Sequence, residues 1–528
     1  MGYGWLLSGA VAAALASWVF NALVGLVWRP RAVERRLRAQ GVRGPGYRFF
    51  HGNLRDIRRL RAAGAAVRLD VADHDFTPIA QPQFREWIPR YGRVFLYWFG
   101  ATPSICVTDF AMAKQVLADR TGLFPKNRMN ANILRLLGEG LVLTNGDDWH
   151  RHKKVVHPAF NIDKLKMMTA TMADCARSMV TGWEAMLASQ QKEGRQQVTI
   201  ELSDQFEELT ADVISHTAFG SSYKEGKQVF QALKELQFIA FSTIFDVQIP
   251  GFRYLPTEKN RRVWKLDREV KTTLTKIIKN RLAAKEKAGY GNDLLGLMLE
   301  ACAPEHGGAQ LLSMDEIIDV CKTFFFAGQE TTSHLLTWVM FLLSTHPDWQ
   351  EKLREEVRRE CGGGGAGDRA RAPTHDMLSR LKLMNLFVLE TLRLYSPVPL
   401  IRRRTRAAVE VGGVVVPEGA ILTLPIATMH RDKEVWGDDA GEFNPLRFDG
   451  GATRAAPKNL SALLAFSSGP RSCIGQNFAM VEVRAVVAAI LQRFRLELSP
   501  EYVHAPTDVI TLRPKYGLPM IVTSADDA

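Results

Sequence analysis

Cysteine is scarce in this chain and never closely spaced. Cys106, Cys175, Cys302, Cys321, Cys361 and Cys473 are scattered over 528 residues with no CxxC pair. That excludes a disulfide scaffold, argues against a structural zinc site and points to a reducing compartment. Charge is missing as well: the first 28 residues carry no ionisable side chain except Tyr3. No second apolar run of that length follows, no internal repeat is visible, and no dinucleotide- or flavin-binding fingerprint appears. With 46% hydrophobic and 23% charged residues, the composition is that of a packed globular protein and leaves no room for extensive disorder.

What is present begins with that uncharged stretch. Tyr3 to Trp28 is mostly Leu, Ala, Val and aromatic, and about 20 such residues span a bilayer as a helix. Arginines start abruptly at Arg29. Residues 29–68 hold twelve of them against Glu34 and Asp56, so this segment carries +10 of the chain's net +12. A nucleic-acid groove needs basic residues across the folded surface, and here the rest of the chain is almost neutral. The pattern instead predicts a single-pass anchor over 1–28, with Met1 on the lumenal side and the arginines on the cytosolic side. A cleaved signal peptide would have a positive n-region ahead of its apolar run, and none precedes this one. The arginines are also suited to anionic headgroups.

Residues 29–70 read as a basic linker rich in Gly and Pro, and 71–528 as one large domain. Helical periodicity dominates over Met112–Leu117, Leu165–Met186, Leu202–Phe219, Val263–Lys287, Met314–Ser344, Leu381–Tyr395 and Met480–Phe494. Short β-rich runs lie at Val94–Phe99 and Ser104–Val107, within Val409–Pro425, and near 508–522. The fold class is therefore mainly α with a minor β lobe.

The sharpest chemistry lies in Phe466-Ser-Ser-Gly469-Pro-Arg471-Ser-Cys473-Ile-Gly475. Cys473 sits between two glycines, beside an arginine and just before an apolar helix. Nearby cations and helix N-termini stabilise thiolates, so this cysteine is fit to ligate a metal. A lone cysteine is otherwise most often an inert core residue.

The ten residues resemble the cysteine-loop signature of the cytochrome P-450 haem-thiolate monooxygenases, matching at Phe466, Gly469, Arg471, Cys473 and Gly475, and the likeness extends over nearly the whole chain. The resemblance implies that Cys473 is the axial ligand of a haem b iron. It sets Phe466 beside the sulfur and pairs Arg471 with a haem propionate. Thiolate ligation pushes electron density toward iron and favours O–O cleavage. The fold implied is the cytochrome P-450 fold preceded by one N-terminal transmembrane helix.

Further motifs carry the same likeness. Ala327-Gly328-Gln329-Glu330-Thr331-Thr332 is similar to the family's oxygen-binding segment. It makes Gly328 the point where the helix bulges to admit O2, Thr331 a hydrogen-bond partner of bound dioxygen, and Glu330 a proton carrier. Glu390-Thr-Leu-Arg393 matches Glu-x-x-Arg and, with Arg447 of Asn444-Pro-Leu-Arg447-Phe448, implies a buried charge network of structural rather than catalytic role. Leu446 stands where the family usually has an acid. Trp149-His-Arg-His-Lys153 resembles Trp-x-x-x-Arg with lysine in the last place. Lys153, Arg151 and His152 therefore remain alternatives for a propionate. In Arg402-Arg403-Arg404, Arg403 occupies the family's propionate position.

Segments that line the family's cavity offer an apolar set here, including Met129, Leu137, Phe241, Phe326, Val398 and Leu400. It suits a lipophilic substrate, although such residues also fill ordinary cores. The phrases Trp149…His157-Pro-Ala-Phe160, Cys321-Lys-Thr-Phe-Phe-Phe-Ala327 and Gly517-Leu-Pro look most like a plant clan of the family. That likeness implies hydroxylation of a fatty acid, with cytokinins, steroids and terpenoids as alternatives, at the endoplasmic reticulum with the catalytic domain cytosolic. Electrons would come from NADPH through a membrane-bound flavoprotein reductase. A peroxide isomerase or dehydratase is disfavoured by the Glu330–Thr331 pair. A haem carrier or sensor without turnover is the alternative from another class, and an inactive scaffold fits these motifs least.

Overall fold

In the computed structural model the described residues are 2–127, 130–220, 223–243, 251–303, 311–362, 372–456, 461–508 and 510–525. The elements that bear on the site run in chain order as α1 (Gly2–Leu23), α2 (Arg29–Ala39), α3 (Leu54–Gly64), β1 (Val94–Phe99), β2 (Thr102–Val107), α4 (Gly146–Val156), α5 (Ile162–Lys192), β3 (Val198–Glu201), α6 (Leu202–Phe219), α7 (Met314–Thr345), α8 (Lys382–Leu394), β4 (Ile401–Arg404), β5 (Ile421–Leu424), α9 (Gln476–Leu491), β6 (Phe494–Leu498) and β7 (Pro519–Ser524). Five of the seven helical periods in the sequence correspond to α5–α9 and the other two to helices Phe110–Leu117 and Glu258–Ala283, with ends displaced by a few residues. Asn161, for example, accepts from the Lys164 amide and starts α5 three residues before the first periodic apolar position.

The chain divides into two compact units. The first comprises 1–67, 77–127 and 400–429; the second comprises 68–76, 128–399 and 430–528.

In the first unit α1 leads through one π turn, Val24–Trp28, into α2. Val11, Leu15, Trp18 and Phe20 lie exposed on α1. Among the described residues Gly9–Ala39, which starts within α1, is the one helical stretch long and apolar enough to cross a membrane. The basic segment that follows is folded, not an open linker. α2 buries Val33 and Leu37, and the Gln40 side chain accepts from the Val415 amide and donates to its carbonyl. α3 buries Leu54 and Ile57. The sheet of this unit has the order β1–β2–β5–β4. β1 and β2 are antiparallel, with Val94 opposite Val107; β2 and β5 are parallel; β4 returns antiparallel to β5. Gly44 lets the incoming chain lie on β1, since a Cβ there would stand 1.7 Å from the Leu96 carbonyl oxygen.

The second unit is built around α7. Ser313 and Glu316 form a reciprocal capping box at its start, and Pro347 opens the next helix just after its end. Leu335 to Leu343 are all buried, and Trp338 stacks on Tyr395 with centroids 4.5 Å apart. A β3–β7–β6 sheet closes one side of this unit.

Candidate active site

Of the six cysteines only Cys473 is exposed. Its loop turns sharply: Ser467 and Gly469 have φ of 63° and 71°, and Gly469–Arg471 makes one 3-10 turn. The Cys473 amide then donates to the Phe466 carbonyl at 2.9 Å, closing the loop. Gly475 is the N-cap of α9, so the sulfur stands where the helix N-terminus favours a thiolate. The half-buried Phe466 thus contributes the carbonyl that sets the cysteine backbone.

Phe160 is a residue to which the sequence alone assigned no role. A Cβ on Gly475 would lie 3.8 Å from its ring and 4.0 Å from Cys473 Sγ, so ring and sulfur both border Gly475. The same ring stacks on Phe324 of α7 at 5.6 Å and meets Phe478 of α9 edge-on at 6.4 Å. It thereby links the cysteine loop to the oxygen-motif helix. Its place at the end of His157-Pro-Ala-Phe160 was the only available signal.

Trp149, Lys153 and Arg471 come together. The Arg471 guanidinium lies 4.5 Å over the Trp149 ring and donates to the Thr144 carbonyl. Lys153 Nζ lies 4.9 Å over the same ring and donates to the Pro470 carbonyl at 3.4 Å. Arg151 faces elsewhere. It bonds Glu316 at 2.6 Å, Asp148 at 2.8 Å and the Leu311 carbonyl at 2.7 Å. That pairing holds the Glu316 carboxyl down to about 2 and raises the Arg151 guanidinium. His152 is buried with its Nε2 at 3.5 Å from Glu316, and burial lowers its pKa. Of the three alternatives, Lys153 is the one turned to the cysteine loop, while Arg151 braces the start of α7.

Arg403 belongs to the other unit and is described within it. It is 2% exposed, and its Nη1 donates to the Arg402 carbonyl while Nη2 finds no hydrogen-bond partner among the described residues. Desolvation alone pushes this guanidinium down to about 10. A buried cation without an anion is costly, so the site calls for one.

On α7 the polar hexapeptide is satisfied without breaking the helix. α7 is assigned as unbroken α-helix, so the bulge expected at Gly328 is absent from this structure. Gly328 instead admits α6: a Cβ there would meet Ile214 Cδ1 at 2.8 Å. Thr210 Oγ1 of α6 also lies 3.2 Å from the Gln329 carbonyl, with the Phe206 carbonyl its shorter acceptor at 2.8 Å. Thr331 Oγ1 donates to the Ala327 carbonyl at 2.7 Å, one turn back. Glu330 is buried and accepts from Thr511 Oγ1 at 2.8 Å. His334 stands 3.9 Å from that carboxylate, and burial lowers its pKa.

Glu390 and Arg393 are fully buried on α8 and make a two-pronged pair at 2.7 Å on each prong. The other Arg393 N–H groups go to the carbonyls of His430, Ala440 and Glu442. Arg447 stands 3.6 Å from Glu390, but its closer partner is Asp439 at 2.7 Å, an acid the motif did not reveal. Leu446 is exposed. His430 ties this network to the cysteine loop. Its Nε2 accepts from the Leu464 amide at 2.9 Å, so its Nδ1–H donates to the Arg393 carbonyl at 3.0 Å. Leu464 in turn accepts from the Ser467 amide within the loop approach.

Of the expected cavity residues, Phe241 and Phe326 face each other edge-on at 6.5 Å. Leu137 is buried, and its carbonyl accepts from Thr323 of α7. Val398 is half-buried in this unit, Leu400 is half-buried in the other, and Met129 lies outside the described residues.

The donor set fits a haem: one exposed soft sulfur at a helix N-terminus, with Arg471 and Lys153 around Trp149 at its edge. The family model for cytochrome P450 matches residues 78–518. The chain is 44% identical to cytochrome P450 709B1 of Arabidopsis thaliana over 511 residues, 96% of each chain. It is 41% identical to cytochrome P450 CYP72A616 of Paris polyphylla, covering 97% of this chain and 98% of that one. It is 40% identical to cytochrome P450 734A6 of Oryza sativa subsp. japonica, covering 94% and 92%. The site geometry and the length of these matches agree: the chain belongs to the cytochrome P450 family, as a monooxygenase of plant type.

Proposed function

We propose that this protein hydroxylates a fatty acid at the endoplasmic reticulum membrane, drawing NADPH-derived electrons through a flavoprotein reductase. Cytokinins, steroids and terpenoids are the alternative substrates. The observation that carries the lipophilic assignment is the pair Phe241 and Phe326, with Phe326 immediately before the Ala327–Thr332 hexapeptide. Aromatic rings at that place hold an apolar chain by area and exclude water from it. The exposed apolar α1 supports delivery from the membrane.

Cys473 is the residue that would ligate the haem iron. Arg471 and Lys153 would neutralise propionate charge. Bound in this way, a haem-thiolate supplies dioxygen activation and insertion of one oxygen atom into a C–H bond, with the other leaving as water. Glu330 holds the proton-accepting carboxylate of the oxygen-motif helix, oriented by Thr511. Thr331 keeps hydroxyl lone pairs available while its proton is committed to Ala327.

The test is the carbon monoxide difference spectrum of the reduced protein in microsomes, followed by product analysis with reductase, NADPH and a panel of the four substrate classes. A strongly red-shifted Soret band that Cys473→Ser abolishes, with hydroxylated fatty acid formed, is the expected result. A red-shifted band with product only from another class moves the substrate and keeps the chemistry. An unchanged band in Cys473→Ser removes that residue from the iron.

A further inference from the structure

Away from this site, α5 and α6 bring three unlike ligating groups to one place. Asp212 and His216 stand at i and i+4 on α6, one above the other on the same face. Cys175 projects from α5 against them, its thiol donating to Asp212 Oδ2 at 3.6 Å. His216 Nε2 is 3.5 Å from Asp212 Oδ1. One ligand atom from each residue lies within 4.8 Å of the other two. We propose that Cys175, Asp212 and His216 form a zinc-binding site with its fourth position open to water.

The geometry is close to what zinc needs. With bonds of about 2.0–2.3 Å, a tetrahedral zinc sets its ligand atoms about 3.3–3.6 Å apart. The sulfur reaches one carboxylate oxygen, Oδ2, at 3.6 Å and the imidazole reaches the other, Oδ1, at 3.5 Å; among one ligand atom from each residue no edge exceeds 4.8 Å, so each has at most about an ångström to close. The half-exposed Asp212 and His216 have the freedom to do this, with side-chain exposures of 35% and 39%. The thiol is the anchored member: Cys175 is buried and 8% exposed. A buried sulfur with two partners on the solvent side gives the site both a fixed floor and an entry path. The mixed sulfur, nitrogen and oxygen donor set suits zinc better than magnesium or calcium, which take oxygen alone. Sequence spacing offered no hint of this site, since the cysteine comes from a different helix and no second cysteine is nearby.

Binding has a defined proton balance. Burial and the Asp212 carboxylate raise the Cys175 thiol well above its ordinary value, so it enters as S–H. Zinc replaces that proton, a zinc–sulfur bond forms, and one proton passes to solvent for each zinc bound. No electron is transferred. Closing the site clamps α5 to α6, whose Ile214 and Thr210 touch Gly328 and the Gln329 carbonyl.

The experiment is equilibrium dialysis of the full-length, haem-loaded protein in detergent against zinc sulfate, followed by metal analysis and zinc-edge X-ray absorption. Cys175→Ser and His216→Ala are measured in parallel, with retention of each variant's thiolate-haem spectrum as the folding check. Because His216 is partly exposed, its variant remains informative if Cys175→Ser does not fold. The expected result is stoichiometric zinc with a sulfur scatterer at about 2.3 Å, and affinity lowered at least about tenfold in each folded variant. Zinc without a sulfur scatterer, equal zinc uptake by wild type and variants, or no uptake would overturn the site and leave a thiol–carboxylate hydrogen bond between two helices.

Discussion

Thr511 Oγ1 donates a 2.8 Å hydrogen bond to Glu330 Oε1, and both residues are buried. The carboxylate of the oxygen-motif helix is therefore aimed by a residue 181 positions away in the chain. A hydrogen bond to a charged group contributes about 1.5–3 kcal/mol, so losing it frees Glu330 to turn. Thr511→Val, which keeps the shape and removes the hydroxyl, should lower the yield of product per NADPH by about tenfold. Thr511→Ser should restore it. Paired measurement of NADPH oxidation and product settles this, and unchanged coupling in Thr511→Val would detach Thr511 from proton delivery.

Arg393 spends every N–H it has on the buried Glu390 carboxylate and three backbone carbonyls. Replacing it leaves the Glu390 carboxylate without its partner in a dry environment, at a cost of about 3–5 kcal/mol. Arg393→Lys cannot reproduce the planar fork and should fail nearly as badly as Arg393→Ala. Because His430 and Leu464 carry the network to the cysteine loop, both variants should lose haem as well as stability. Haem content per protein and the thermal midpoint are the measurements. A folded Arg393→Lys with full haem would show that charge alone suffices.

What the sequence disclosed and what it hid follow one physical line. The cysteine loop is contiguous, so five residues in ten positions carry its shape, and the oxygen motif likewise lies in a single helical run. Their supporting residues come from far along the chain. Thr511, His430, Asp439 and Phe160 act through contacts that no local pattern encodes. Gly328 shows the limit within a motif. Its place in the hexapeptide was legible, but its role in this structure is set by Ile214 on another helix. In the basic stretch the arginines mask the apolar positions Val33, Leu37, Leu54 and Ile57 that α2 and α3 bury, so its helices are hard to see in the sequence.

Three buried histidines make the protein acid-sensitive. Burial holds His74 and His430 down to about 3 and His504 to about 4. The unfolded chain takes up these protons near the ordinary imidazole value, and the folded chain does so only well below it. Stability is therefore present above about pH 6.5 and is lost as pH falls, by about 1.4 kcal/mol per histidine per pH unit. His504 stacks on Phe341 at 4.8 Å with the rings almost parallel, and its Nε2 has no hydrogen-bond partner among the described residues. His504→Phe should keep the stack, give up the Tyr502 hydrogen bond and remove one of the three titrations. Thermal midpoints between about pH 7 and pH 4.5 should then fall less steeply in the variant than in wild type. Parallel slopes would mean that His504 is already protonated in the fold.

Glu482 on α9 is an acid in the wrong place for a charge. It is fully buried, and neither carboxyl oxygen has a hydrogen-bond partner among the described residues. Burial raises its pKa well above the ordinary carboxylate range, offset in part by Thr332 of α7 without ordinary hydrogen-bond geometry. The folded protein thus keeps this proton where the unfolded chain gives it up. Stability from this group is present below the ordinary carboxylate range and declines as pH rises toward the folded value. Glu482→Gln retains the shape and has no proton to lose. Its advantage over wild type should be small near pH 4 and should widen by about 1.4 kcal/mol per pH unit until the folded pKa is reached. Urea unfolding of the haem-loaded pair at about pH 5 and about pH 8 reads this directly. A gap that stays constant with pH would mean that the carboxyl ionises in the core, and that water or Thr332 stabilises the charge.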